Sequence, residues 1–111
     1  MGLDPRNLIF QNDASENADE GIDLEGDGQH NYVIANRAAA NQDVGIEVGS
    51  PNTLVLENEV CNNADEGILV FGNGSWVIDN RAYNNGSDGL DADIVDDVLF
   101  YGNVSTKNGI S

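Results

Sequence analysis

Acidic side chains dominate this sequence, and their spacing could do chemistry. The chain has 111 residues and a formal net charge of −16, with 20 acidic and four basic side chains. The densest acidic stretch lies between positions 88 and 97 and supplies five carboxylates: Asp88, Asp91, Asp93, Asp96 and Asp97. Because Ca²⁺ prefers clustered carboxylate and carbonyl oxygens, we predict a calcium site there, with calcium as a possible cofactor. The alternative is a solvated acidic face that binds no ion.

Acidic residues also recur at fixed positions elsewhere, immediately before a recurring glycine and two residues after it. The first set is Asp19, Glu20, Asp43, Asp65, Glu66 and Asp88, and the second is Asp23, Glu47 and Asp91. Like charges ~5 Å apart repel by roughly 1 kcal/mol in water, and a divalent cation would reverse that effect. His30 and Cys61 are the sole histidine and cysteine. They suggest neither a soft-metal site nor an internal disulfide.

These positions belong to a repeat of about 22 residues that fills the chain. Five segments align, at 7–29, 31–51, 53–74, 75–96 and 98–111. Two asparagine columns and a glycine column run through them: Asn12, Asn36, Asn58, Asn80 and Asn103; Asn17, Asn41, Asn63, Asn85 and Asn108; Gly21, Gly45, Gly67 and Gly89. A fixed period of this size indicates a solenoid, in which each segment is one stacking unit.

Each segment reads as about three short strands, because its apolar clusters are short, rich in β-branched residues and bounded by Gly and Asn. Coils of this size stack as a parallel β-helix, with neighbouring strands ~4.8 Å apart. The predicted fold is therefore all-β, a parallel β-helix of about five coils forming a single domain over residues 1–111. We expect the asparagines to adopt the left-handed corner geometry and to hydrogen-bond along their columns. The glycines should occupy positions with positive φ or without room for a Cβ.

One repeat unit reads Asn31-Tyr-Val-Ile-Ala-Asn36-Arg-Ala-Ala-Ala-Asn41-Gln-Asp-Val-Gly45-Ile-Glu-Val. Units of this kind resemble the right-handed parallel β-helix repeat family, whose pectin-lyase-like superfamily contains pectate lyases, polygalacturonases and alginate C5-epimerases. The resemblance covers nearly the whole chain and implies a right-handed coil, as does the general preference of β crossovers. Since members are usually longer and capped at both ends, we expect a piece of a larger β-helix or an oligomer.

The resemblance also implies a chemistry. A lyase or epimerase acting on a uronate polymer needs a cation beside the sugar carboxylate and a base for the C5 proton. Arg37 and Arg81 are the catalytic candidates, since they share a column two coils apart and their spacing of ~10 Å suits successive sugars. Two unrelated surface arginines would be spaced in the same way. Whether the chain is an enzyme is left open.

The first strand of each repeat has three consecutive apolar residues, although a strand turns only alternate residues inward. If Val33, Val55 and Val77 point inward, Tyr32 and Trp76 lie on an outward apolar face along the height of the coil. Exposed apolar patches of this size mark interfaces. Tyr32 and Trp76 are therefore candidates for stacking on sugars, and the whole face is a candidate for self-association.

The charge and hydropathy exclude two classes of partner. Phosphates of nucleic acids and anionic lipid surfaces would be repelled, and no apolar run is long enough to span a bilayer. Three functions remain. The first is a non-catalytic extracellular or cell-surface module that binds acidic or neutral polysaccharide or a protein partner, with or without calcium. The second is a fragment of a uronate-polymer lyase or C5-epimerase, and the third is a structural, self-assembling solenoid.

Overall fold

The computed structural model describes residues 6–26, 30–93 and 95–109. Thirteen strands of three residues each form over these ranges: β1 (Leu8–Phe10), β2 (Ile22–Leu24), β3 (Tyr32–Ile34), β4 (Arg37–Ala39), β5 (Ile46–Val48), β6 (Leu54–Leu56), β7 (Glu59–Cys61), β8 (Ile68–Val70), β9 (Trp76–Ile78), β10 (Arg81–Tyr83), β11 (Leu90–Ala92), β12 (Leu99–Tyr101) and β13 (Val104–Thr106). Over the same ranges, no helix is long and apolar enough to cross a membrane.

The strands form three parallel sheets that wind around one axis. Sheet A has the order β1-β3-β6-β9-β12, sheet B β4-β7-β10-β13 and sheet C β2-β5-β8-β11. Every strand pairs in register with its counterpart one repeat away, so Leu54 lies between Tyr32 and Trp76. The predicted all-β fold, a parallel β-helix, is confirmed. It has slightly more than four turns, against the five coils expected, because sheets B and C have four strands each where sheet A has five.

The core is a narrow column of small and β-branched side chains. In sheets A and B the middle residue of each strand points inward, whereas in sheet C the first and third residues do. Completely buried are Val33, Val55 and Val77 of sheet A, Ala38, Val60 and Ala82 of sheet B, and Ile46, Val48, Ile68 and Val70 of sheet C. Burial of apolar surface at about 25 cal/mol per Å² makes this column the main stabilising term. Cys61 is buried and not in a disulfide.

At the two corners that carry the ladder asparagines, the chain turns at the residue before the asparagine. Glu57 and Asn62 both have φ of 57°, and they directly precede Asn58 and Asn63. The ladder asparagines themselves are absent from the described residues with positive φ. The expectation that they adopt the left-handed geometry is therefore wrong. The preceding residue makes the bend, and this leaves the asparagine side chain free to point into the coil.

The asparagine columns do form hydrogen-bonded ladders. Oδ1 of Asn58 accepts both the backbone N–H and the side-chain amide of Asn36, at 2.8 and 3.1 Å. Its own amide donates to the carbonyl of Val33 and to Oδ1 of Asn80, both at 2.9 Å. The buried polar groups of these two columns are thus satisfied by the neighbouring coils, as most buried polar groups are in proteins.

The glycine column is explained by crowding. Gly45 does not have positive φ, but a Cβ there would lie 2.6 Å from Nδ2 of Asn63 and 2.6 Å from the carbonyl oxygen of Gly67. Real Cβ atoms do not approach so closely, and the carbonyl belongs to the backbone of the next coil. The glycines therefore allow the ladder amide and the strand C backbone to pack against each other.

Candidate functional site

The three sheets present outward faces of different chemistry, and these faces position every candidate residue. On sheet A the first and third residues of each strand point outward, and all ten are apolar or aromatic: Leu8, Phe10, Tyr32, Ile34, Leu54, Leu56, Trp76, Ile78, Leu99 and Tyr101. Leu8, Trp76 and Tyr101 are more than half exposed. The inward orientation predicted for Val33, Val55 and Val77 is confirmed, and the predicted outward apolar face exists.

An open groove of about 380 Å³ lies on this face. Its lining consists of His30, Tyr32, Asn52, Thr53, Leu54, Gly74 and Trp76. Tyr32 and Trp76 are each one strand away from Leu54, so the two rings flank this leucine at a separation of ~10 Å along the axis. Both rings reach solvent, with Tyr32 38% and Trp76 54% exposed. The structure thus brings the two predicted carbohydrate-stacking residues into one groove.

A corner of the coil forms the rim of the groove. His30, Asn52 and Gly74 occupy the same corner in successive coils, with φ of 59°, 53° and 73°. The residue that follows each of them belongs to a third, mainly polar column, in which the backbone N–H of Thr53 donates to Oγ of Ser75 at 3.1 Å. The sequence did not reveal this column because its members, Asn7, Asn31, Thr53, Ser75 and Val98, differ in type.

The face of sheet B is an ion-pair ladder that contains both arginine candidates. Arg37 and Arg81 each lie one strand away from Glu59. Nε of Arg37 is 3.4 Å from Oε1 of Glu59, and one terminal nitrogen of Arg81 is 3.2 Å from Oε2. Arg37 also lies 3.7 Å from a carboxylate oxygen of Asp13. Both predicted catalytic cations are therefore already paired with protein carboxylates.

Tyr83 extends the same ladder. Its hydroxyl donates to Oε2 of Glu59 at 2.8 Å, and the Arg81 guanidinium lies over its ring, 4.4 Å from the centroid. Hydrogen bonds to Cys61 and Glu59, together with burial, raise the pKa of Tyr83 to about 12. A phenol with so high a pKa stays protonated at neutral pH and is a poor general base.

The face of sheet C is acidic, and its carboxylates meet between coils. Among the described residues, two groups of three place a carboxylate oxygen of each member within 4.8 Å of the others: Asp19, Glu20 and Asp43; and Glu20, Asp23 and Glu47. Asp23 and Glu47 are register partners on β2 and β5. Burial, and then repulsion from Asp23 and other nearby acids, raises the pKa of Glu47 to about 7. Burial and a hydrogen bond to Glu25 raise that of Asp23 to about 6.

The five predicted calcium ligands lie near the other end of the coil, on β11 and in the segments on either side of it. Burial, with repulsion from Asp88 and Asp93, raises the pKa of Asp91, which lies on β11. Asp96 and Asp97 lie at the corner before β12, where both are exposed. Over the described ranges, no three of the five bring their oxygens within 4.8 Å of one another. The register partner of Asp91 is Leu69, which interrupts the acidic column.

Comparisons with known proteins bear on the fold. Residues 2–82 match a family model described as a right-handed β-helix region. A search of curated protein sequences found no match. The crystal structure of a doubly substituted periplasmic alginate epimerase, AlgG, superimposes with a TM-score of 0.83 at 22% sequence identity. The alignment covers 92% of the present chain and 26% of the epimerase chain. The chain thus spans about a quarter of the length of this structural relative.

Proposed function

The chain belongs to the right-handed β-helix family, and we propose that it is a non-catalytic module that binds an extended polysaccharide across the groove on sheet A. One observation carries the proposal: Tyr32 and Trp76 are both exposed and flank Leu54 in a single groove. Sugar rings have apolar C–H faces, and exposed aromatic rings provide large, rigid surfaces for them. Concave sites lined by apolar groups with a few polar groups are the usual form of ligand sites.

The proposal also places the module outside the cytoplasm. The structural relative is a periplasmic enzyme named for its action on alginate, a polysaccharide. That relative supports an extracellular or cell-surface location for the present chain, because polysaccharide ligands of this kind occur there. Membership of a longer β-helix, of which this chain would be one segment, is part of the same proposal.

The intrinsic fluorescence of Trp76 tests the proposal directly. Trp76 is the sole tryptophan of the chain, so its emission reports only on the groove. A saturable change in emission on titration with soluble glycans, absent with monosaccharides of the same composition, is expected. A panel of polysaccharides that leaves the emission unchanged and is not retained in pull-down would contradict the proposal.

The second candidate is a segment of a uronate-polymer lyase or C5-epimerase. The alginate epimerase relative favours it, but the pairing of Arg37 and Arg81 with Glu59 weighs against these arginines as free binders of a uronate carboxylate. Turnover assays on alginate and pectate discriminate the two functions. An unsaturated or epimerised product that disappears in both Arg37→Gln and Arg81→Gln would establish the enzyme.

Calcium binding and self-assembly stay predictions. The carboxylates of sheet C that meet between coils would be the ones a calcium ion reaches. A calcium-specific rise in melting temperature, relative to magnesium at equal ionic strength, would support binding, because a ligand stabilises the state that binds it. Self-assembly through the apolar face predicts that the apparent mass in light scattering rises with concentration when no glycan is present.

A further inference from the structure

We infer that the groove on sheet A takes an uncharged polysaccharide and discriminates against uronate polymers. The inference rests on the proposed function and specifies its ligand class. It depends on which charges the fold places in the groove and which it places on the other two faces.

Among the described residues, the lining of the groove contains no Asp, Glu, Lys or Arg. Its described polar lining consists of His30, Asn52 and Thr53, and the remainder is aromatic, aliphatic or glycine. A uronate carboxylate that entered would exchange part of its hydration for aromatic and aliphatic surface, with no arginine or lysine among the described lining residues to pair with it. A neutral sugar loses only hydroxyl hydration, which the imidazole and amide groups at the rim can replace.

The arginines lie on a different face. Arg37 and Arg81 belong to sheet B and are both paired with Glu59. A uronate polymer would have to compete with Glu59 for them, and neither arginine lines the groove. A carboxylate held by either arginine would therefore lie on sheet B, outside the groove.

The electrostatic field of the whole molecule also disfavours uronate polymers. The net charge of −16 repels a polyanion before contact, and physiological salt screens this repulsion only beyond about 8 Å. The carboxylates that meet on sheet C strengthen the negative field of one side. A neutral chain experiences none of this repulsion.

The two rings also indicate how the ligand lies. Tyr32 and Trp76 belong to the same column of sheet A, two strands apart, with Leu54 forming the floor between them. Their separation of ~10 Å runs along the coil axis. The polysaccharide is therefore oriented along the axis, with one sugar on each ring and hydroxyls directed to His30 and Asn52 at the rim.

The experiment is affinity electrophoresis and calorimetry with a soluble β-glucan and a galactomannan, compared with polygalacturonate, alginate and the cationic polymer chitosan, at low and high salt. Neutral glycans should bind with little dependence on salt. Trp76→Ala and Tyr32→Ala should each weaken this binding by about tenfold, the loss of one ring contact. Trp76→Tyr, which keeps a ring, should recover most of the affinity.

Tyr101→Ala is the matched control. Tyr101 lies on the same outward face and is 68% exposed, but it does not line the groove. Removing this ring should leave the affinity for neutral glycans unchanged. A fall in affinity equal to that of Trp76→Ala would overturn the assignment of the ligand to the groove. Uronate polymers that bind as tightly as neutral ones and depend on Trp76 would overturn the inference and leave the proposed function standing. Binding of chitosan alone that depends on Trp76 would likewise overturn the inference and leave the proposed function standing. Binding of chitosan alone that Trp76→Ala leaves unchanged would be attraction to the net charge of −16 and would contradict both, and so would binding of no glycan at all.

Discussion

Oδ1 of Asn80 accepts two hydrogen bonds from Asn58, one from its backbone N–H at 2.8 Å and one from its side-chain amide at 2.9 Å. Both residues are about 1% exposed, so water cannot replace either bond. The same arrangement recurs in both asparagine columns of the central coils. The ladder therefore joins successive coils through side chains in addition to the backbone bonds of the three sheets.

Replacing Asn58 by alanine should destabilise the fold by about 3 kcal/mol, because it leaves buried donors of Asn36 and the carbonyl of Val33 without partners. Urea denaturation followed by circular dichroism measures the loss. The matched control is Asn12→Ala, at an exposed position of the same column. Equal losses for the two variants would show that burial of the ladder contributes nothing.

The contribution of the acidic face of sheet C to the stability of the fold should fall as pH rises between about 4.5 and 7. The folded protein holds protons on Asp23 and Glu47 more tightly than the unfolded chain does, since burial and neighbouring acids raise their pKa values to about 6 and about 7. Stability from such a group is fully present below the unfolded pKa and is lost as pH rises through the folded pKa. Melting temperatures at constant ionic strength measure the slope.

Glu47→Gln provides the check on that slope. A neutral amide cannot be deprotonated, so the variant should melt higher than the parent at pH 8 and at nearly the same temperature at pH 4.5. Glu57→Gln is the matched control, because Glu57 lies exposed at a corner, outside both carboxylate groups of sheet C. An equal rise in the melting temperature of both variants at pH 8 would mean that total charge, and not this cluster, sets the pH dependence.

Gly45→Ala should destabilise the protein by more than Gly49→Ala. A methyl group at Gly45 would lie 2.6 Å from a backbone oxygen of the next coil, which cannot move without breaking the stack, whereas the nearest atom at Gly49 is 3.2 Å away. Overpacking in a tight core costs typically about 1–3 kcal/mol. Denaturant midpoints of the two variants decide the order, and the reverse order would contradict the crowding explanation.

The coil could be predicted from the sequence because the residues that constrain it most strongly recur at the same place in every segment. The positions of Asn58 and Gly45 have the same surroundings in every coil, so each coil requires the same residue there. Columns of identical residues in the sequence therefore revealed both positions. The left-handed corner was assigned to the wrong residue because its occupants differ: Ala35, Glu57 and Asp79 all adopt it. Backbone strain at an exposed corner selects no particular side chain when the neighbouring ladder holds the bend in place.

The candidate sites were harder to predict because they depend on contacts between coils. The density of carboxylates along the sequence favoured residues 88–97 as the calcium site. In the sheet, however, the register partner of Asp91 is a leucine, whereas Asp23 is paired with Glu47. Tyr32 and Trp76 were identified as outward rings, yet only the register placed both of them beside Leu54 in one groove. The pairing of Arg37 and Arg81 with Glu59 likewise required the register of sheet B.

Tyr83 should titrate well above the ordinary pKa of a tyrosine. Its hydrogen bonds to Cys61 and Glu59, with burial, raise its pKa to about 12, so absorbance of tyrosinate should show a late step in the parent protein. That step should be missing in Tyr83→Phe. In Glu59→Gln it should move to lower pH without reaching the ordinary value of about 10, because the hydrogen bond to Cys61 remains. Circular dichroism over the same range must show the folded state, and a late step that persists in Tyr83→Phe would assign it to another tyrosine.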